Sequence, residues 1–270
     1  NDLVSFDGNT LPVLNQLNVN PRQGQELKLK SISGNYLGQL SELPDLRGST
    51  LATFSRNNIP LLKRLDLSSS NLTTFEDNKL PALTTLDLSS TFLSIFQGYS
   101  LPKLASIDLS NCGLVRFDDN VFPVLQSLSI NNNLLRTLGK SQLPLLSYLS
   151  VTQNSFSTLI DLLQYPVLDT VIVEKNRVAA VENITKDTIT YLALTDNAAL
   201  ASFKNNTFQK LKELSINGCS LLTEAAFVDN TLPVLTHIDA AKTGFTSFTD
   251  QLGAQFAKLE SIILGGSPIQ

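Results

Sequence analysis

One apolar pattern recurs along this chain at a nearly constant interval. The segments LKRLDLSSSNLTTF (62–75), LTTLDLSSTFLSIF (83–96), LASIDLSNCGLVRF (104–117), LQSLSINNNLLRTL (125–138) and LSYLSVTQNSFSTL (146–159) align without gaps. Each reads L-x-x-L-x-L-x-x-N/C/S/T-x-L-x-x-F/L. With the second apolar position as anchor, the anchors are Leu65, Leu86, Ile107, Leu128, Leu149, Val171, Leu192, Leu214, Ile238 and Ile262. Their spacings run from 21 to 24 residues. A unit this short cannot bury its own apolar face, so neighbouring units must stack into a solenoid.

Within one unit the anchor and the residue two beyond it share one face of an extended strand and point inward. Their neighbours point outward. The strands stack in parallel about 4.8 Å apart and line the inner face of a curved ribbon. The small polar residue five past the anchor turns the chain away from the sheet. Asn133, Asn154 and Asn176 hold this ladder slot, as do Cys112 and Cys219. An Asn amide there can both donate to and accept from neighbouring turns. Leu or Phe at seven and ten past the anchor refills the core. Leu-Pro pairs at 80–81, 101–102, 143–144 and 232–233 mark the return. Proline lacks the N–H that a helix needs, so the return is expected to be extended or short 3₁₀.

The motif resembles the leucine-rich-repeat superfamily over the whole chain. That likeness implies an α/β solenoid: a curved horseshoe with a parallel β-sheet on the concave face, a mostly extended or 3₁₀ convex side and few true helices. The "LP-x-L-x-x-LDLS" cadence and the stretch FTSFTDQLGAQFAKLESI (245–262) are also similar to repeat ectodomains of oomycete receptor-like kinases and to microbial secreted repeat proteins. Three zones are expected in one solenoid spanning 1–270. Residues 1–43 are irregular, 44–213 regular and 214–270 longer in period, with a short helix at about 250–258. In the first zone Leu17 and Val19 read as a strand and Leu43 as a shifted anchor. The segment PRQGQELKLKSISGNY (21–36) reads as an inserted loop or hairpin. Leu3 and Phe6 fit the second half of a repeat, while Ile262, Leu264 and Ile269 open another. The chain is therefore expected to be longer in nature, or to carry unusual end caps.

Composition excludes some functions. A net charge of −4 argues against a nucleic-acid backbone partner, which requires a basic face. No apolar run approaches the roughly 18 residues of a membrane helix. There is no Gly-rich phosphate loop, H-E-x-x-H or G-x-S-x-G, and the single histidine, His237, has no Cys or second His near it in sequence. Neither a catalytic site nor a metal or other cofactor is expected. Cys112 and Cys219 each lie five past an anchor, five units apart, hence about 24 Å apart at one strand spacing per unit. A disulfide spans at most about 7 Å between Cα atoms, so none is expected.

The expected partner is a protein or peptide, met on the outward positions of the sheet. In the first half these include Asp66, Asp87 and Asp108, an acidic stripe in which each neighbouring pair repels by roughly 0.9 kcal/mol in water. The second half presents Tyr148, Thr170, Ile172, Glu174, Tyr191, Glu213 and His237. There Ile172 between Tyr148 and Tyr191 would make a small apolar patch of the kind that marks interaction sites. Sequons at Asn71, Asn183 and Asn205 are no more numerous than chance supplies, but all three lie off that face. With few Lys residues and abundant Ser, Thr and Asn, they favour an extracellular or cell-surface module. The competing reading is a cytoplasmic scaffold or a regulatory part of a larger protein.

Overall fold

The computed structural model describes residues 3–19, 27–247 and 256–269. The chain divides into two compact units, Asn1–Asn133 with Gly139–Pro144, and Leu134–Leu138 with Leu145–Gln270. The first unit holds strands β1 (Ser5–Asp7), β2 (Ser31–Ser33), β3 (Thr53–Ser55), β4 (Arg64–Asp66), β5 (Thr85–Asp87), β6 (Ile95–Gln97), β7 (Ser106–Asp108), β8 (Arg116–Asp118) and β9 (Ser127–Ser129). The second holds β10 (Tyr148–Ser150), β11 (Thr170–Ile172), β12 (Ala180–Glu182), β13 (Tyr191–Ala193), β14 (Ser202–Lys204), β15 (Glu213–Ser215), β16 (His237–Asp239) and β17 (Ser261–Ile263).

In each unit the anchors lie on parallel, hydrogen-bonded strands. Leu65, Leu86, Ile107 and Leu128 sit at the middle of β4, β5, β7 and β9 and pair directly. In the second unit Leu149, Val171, Leu192, Leu214, Ile238 and Ile262 do the same along β10, β11, β13, β15, β16 and β17. Every anchor but Ile262 is buried. Four residues past each anchor the chain enters the left-handed region, as at Ser69, Ser90, Asn111, Gln153 and Lys175. Each such non-glycine corner costs about 1 kcal/mol and turns the chain away from the sheet.

The return side is built from strands as well. About ten residues past the anchor comes a second strand, and these pair in parallel: β1–β2–β3 and β6–β8 in the first unit, β12–β14 in the second. A third line of single parallel bridges follows, such as Tyr36 to Asn58 and Thr185 to Thr207. Among the described residues the expected α/β solenoid is therefore almost wholly β. Among the described residues the one helical element is a 3₁₀ turn, Glu224–Ala226, in a longer coil of the second unit. The helix expected at about 250–258 lies largely outside the described residues. No described helix is long and apolar enough to cross a membrane.

Between the ladders the core is a column of side chains. In the first unit Phe54, Phe75, Phe96 and Phe117 stack in sequence with ring centroids 5.8, 6.3 and 6.0 Å apart. In the second, Phe203 and Phe227 stack at 4.8 Å, with Phe256 5.9 Å from Phe227. Each such ring removes 150–250 Å² from water and adds to the leucines buried in the same coil, as Leu62, Leu65, Leu67 and Leu72 are beside Phe75.

The N-terminal zone departs from the expectation. The presumed insertion 21–36 contains β2, whose Ile32 is fully buried and pairs between Phe6 and Phe54. Its alternation is that of a regular second strand. Leu17 and Val19, read as a strand, belong to none. Leu43 is not the anchor either: Gly48 takes the left-handed corner and Leu46 is buried, so Pro44 holds the anchor position. Proline cannot donate to a ladder, and β4 is accordingly unpaired on that side.

Candidate functional site

Two asparagine ladders hold the turns. At the first corner Asn133 Oδ1 accepts the backbone N–H of Cys112 at 3.2 Å and of Leu114 at 2.8 Å, while its amide donates to the Leu109 carbonyl at 2.9 Å. In the second unit Asn154, Asn176 and Asn197 accept the N–H of Leu135, Phe156 and Val178, each at 3.0 Å. Cys112 and Cys219 are free and buried. They occupy the same slot and use the thiol as donor, Cys112 to Leu88 at 3.2 Å and Cys219 to Leu194 at 3.4 Å. Burial pushes the Cys219 thiol up to about 12. Burial raises Cys112 as well, so neither is a ready nucleophile.

The second ladder follows the return strands and was not read from the sequence. Asn35, Asn57 and Asn78 run in series: Asn35 Nδ2 donates to Asn57 Oδ1 at 2.9 Å, and Asn57 Nδ2 to Asn78 Oδ1 at 3.2 Å. In the second unit Asn206 Nδ2 donates to Asn230 Oδ1 at 3.0 Å. The legible signal was Phe-x-x-Asn, as in Phe54 to Asn57, Phe75 to Asn78, Phe117 to Asn120 and Phe203 to Asn206.

Asp66, Asp87 and Asp108 pair side by side on the first unit's sheet. Each carboxylate also accepts the backbone N–H two residues on: Ser68 at 3.0 Å, Ser89 at 2.9 Å and Ser110 at 2.8 Å. The D-L-S cadence is thus a local turn device, in which an acceptor replaces the partner that N–H loses where the chain leaves the sheet.

On the second unit's sheet the outward residues fall into rows. Tyr148, Thr170, Tyr191, Glu213 and His237 form one continuous row. Thr170, not Ile172, stands between the two tyrosines. Ile172 belongs to the next row, between Ser150 and Ala193. Ser150 and Ala193 are buried although they hold outward register positions. Tyr148, Thr170, Ile172, Glu174 and Tyr191 are half-buried, Glu213 and His237 exposed. His237 Nδ1 lies 2.8 Å from Thr236 Oγ1. A shallow groove of about 190 Å³ runs along Tyr191, Glu213, His237, Asp239 and Ile263. Burial, then the carboxylates of Glu174 and Glu213, raise the Tyr191 phenol. Asp239 was missed in the sequence although it occupies the same register position as Asp87. Among the described residues no three His, Cys, Asp or Glu side chains are grouped to hold a metal.

Asn71, Asn183 and Asn205 are exposed. Asn183 and Asn205 are left-handed corner residues directly after β12 and β14.

No protein-family model matches the chain, and no curated protein matches it. Solved structures do. The leucine-rich repeat domain of APL1B is 19% identical with a TM-score of 0.50, over 86% of this chain and 72% of that one. A functional domain of InlJ from Listeria monocytogenes, which includes a cysteine ladder, is 19% identical with a TM-score of 0.48, over 80% of this chain and 58% of that one. The likeness is one of fold: this chain has the leucine-rich-repeat fold, with parallel strands in both its units.

Proposed function

We propose that the chain is a non-catalytic recognition module that binds a protein or peptide partner on the outward face of the second unit's sheet. One observation carries this reading. Five consecutive strands align Tyr148, Thr170, Tyr191, Glu213 and His237 in a single row, so two half-buried tyrosines sit beside carboxylates on rigid strands. Among the described residues the Glu213 carboxylate has no hydrogen-bond or ion-pair partner, although its backbone N–H donates to Thr190. Tyrosines fixed in this way supply contact area at low entropy cost, and unpaired carboxylates beside them select a basic partner surface. The acidic stripe of the first unit is the weaker candidate, because Asp66, Asp87 and Asp108 are engaged with their own turns.

A secreted or receptor ectodomain fits the three exposed sequons. The two free, buried thiols favour the intracellular scaffold as a second reading, and intact mass from the native source separates the two, since glycan at Asn71, Asn183 or Asn205 places the chain outside the cytosol. For the binding face, a benzophenone amino acid is placed at Tyr191 or at the exposed Val115. Crosslinks to a partner from position 191 and none from 115 support the proposal; the reverse pattern overturns it.

A further inference from the structure

Among the described residues, the return side of the first unit is open between the coils of Phe75 and Phe96. In successive coils the backbone of one return strand donates to the next: Phe54 N–H to Thr74 at 2.9 Å, Arg56 N–H to Glu76 at 2.9 Å and Ile59 N–H to Lys79 at 3.1 Å. One coil later the equivalent donors are Phe75, Asp77 and Leu80, and the equivalent acceptors are the carbonyls of Ile95, Gln97 and Ser100. None of these three bonds forms, nor does the return bond from Ser100 N–H to Asn78. The next coil resumes the pattern with Gly98 N–H to Asp118 and Val121 N–H to Tyr99. On the anchor side the same two coils stay paired through β4 and β5.

Tyr99 is the cause. It stands where Asn57, Asn78 and Asn120 stand in neighbouring coils, three past the core Phe. An Asn there would accept the N–H of Asn78, as Asn78 accepts that of Asn57 at 3.1 Å. The Tyr99 ring instead packs against the aromatic column, 4.2 Å from Phe96 and 5.8 Å from Phe75, and offers no acceptor to the Asn78 N–H. The result is a groove of about 810 Å³ with an aromatic floor, within the size range of ligand clefts. One wall is the free edge of β6 and the other is the extended segment 73–80, bridged to the preceding coil at Thr74 and Lys79; both carry backbone groups that find no partner across the groove. Its lining carries Glu76 and Asp77 and no Lys, Arg or His.

We propose that this groove takes an extended peptide as a guest β-strand, one that carries a basic residue opposite Glu76 and Asp77. The guest lies parallel to both walls. Its carbonyls accept from the N–H groups of Phe75 and Asp77, and its own N–H groups donate to the carbonyls of Ile95 and Gln97. Main-chain bonds of this kind supply affinity with little demand on sequence, and the charge selects. The site is distinct from the tyrosine row, which lies in the other unit.

The test selects random peptides of about nine residues, a typical strand length, on the wild-type protein. The selected peptides are then measured against Tyr99→Asn, Tyr99→Phe and Tyr191→Ala. Tyr99→Asn restores the ladder, so amide exchange at Phe75, Asp77, Leu80 and Ser100 slows in that variant while its melting temperature holds or rises. Peptide binding falls by about tenfold or more in Tyr99→Asn, and changes by less than about threefold in Tyr99→Phe and Tyr191→Ala. N-methylation of the guest at alternate amides weakens binding by a similar factor. Failure to select any peptide, equal affinity for Tyr99→Asn, or indifference to N-methylation at every position would overturn the proposal. Because Tyr191→Ala leaves this binding intact, its outcome is independent of the partner face proposed above.

Discussion

Asn57 and Asn78, one coil apart, are joined twice: Asn78 Oδ1 accepts both the backbone N–H and the side-chain N–H of Asn57, at 3.1 and 3.2 Å. Asn57 itself is fully buried and passes the pattern on to Asn35. Replacing it by Ala takes the acceptor from the Asn35 N–H and a donor from the Ile32 carbonyl, while Asn78 Oδ1 keeps only the backbone N–H of residue 57. An unsatisfied buried group costs about 1–3 kcal/mol, so Asn57→Ala is expected to lose about 2–4 kcal/mol in urea unfolding. Lys103→Ala, at an exposed position, should stay within about 0.5 kcal/mol. Equal effects of the two would remove the second ladder from the account.

The turn role of the acidic stripe separates Asn from Ala. Asp87→Asn keeps an oxygen for the Ser89 N–H and removes one of three adjacent charges, so stability should change by less than about 0.5 kcal/mol. Asp87→Ala loses the acceptor and should cost about 1 kcal/mol, as a lost cap does. If Ala is tolerated as well as Asn, the carboxylates are not turn devices.

Glycine is required where coils touch closely. A Cβ on Gly139 would lie 2.2 Å from Asp118 Cβ, at a φ of +57°. Gly113 has a φ of +81° but nothing within 4 Å. Gly113→Ala is expected to cost about 1 kcal/mol from left-handed strain alone, and Gly139→Ala more than about 2 kcal/mol because the neighbouring coil must also move. Thermal melts of the two variants check the order.

Burial, followed by the Asp196 charge, raises the Cys219 thiol from an ordinary 9.0 to about 12, against a lowering hydrogen bond from Asn197. Between those values the unfolded chain binds fewer protons than the folded one. Stability from this group is therefore full below pH 9.0 and is lost as pH rises towards 12. Cys219→Ser should flatten the fall of the urea midpoint across that alkaline range without abolishing it, because burial also raises the Tyr99 and Tyr165 phenols. An unchanged slope would contradict the assignment.

Much of this arrangement was legible because the solenoid repeats a register. The anchors, the Cys112 and Cys219 slots and the outward row all follow from counting residues past one apolar position. Counting worked less well where a residue kept its place but changed its chemistry. Pro44 holds an anchor position that its missing N–H cannot use in a ladder, and Leu43 beside it looked the better hydrophobe. Ile32 belongs to a return strand whose alternation was hidden in a charged segment. The second asparagine ladder lies on the return, where Phe-x-x-Asn recurs in several coils but is broken at Tyr99 and at Leu138, so its period is less visible than that of the leucines. Ile172 differs in another way: a strand offers two outward rows, and only pairing decides that it meets Ser150 and Ala193 and not the tyrosines.

The partner face is tested most directly by comparing affinities for one native partner across two sets of substitutions. The account predicts that Tyr148→Ala with Tyr191→Ala weakens binding by about tenfold or more, while Asp66→Asn with Asp87→Asn and Asp108→Asn changes it by less than about threefold. Loss confined to the aspartate set, with the tyrosine pair binding as tightly as wild type, would contradict it.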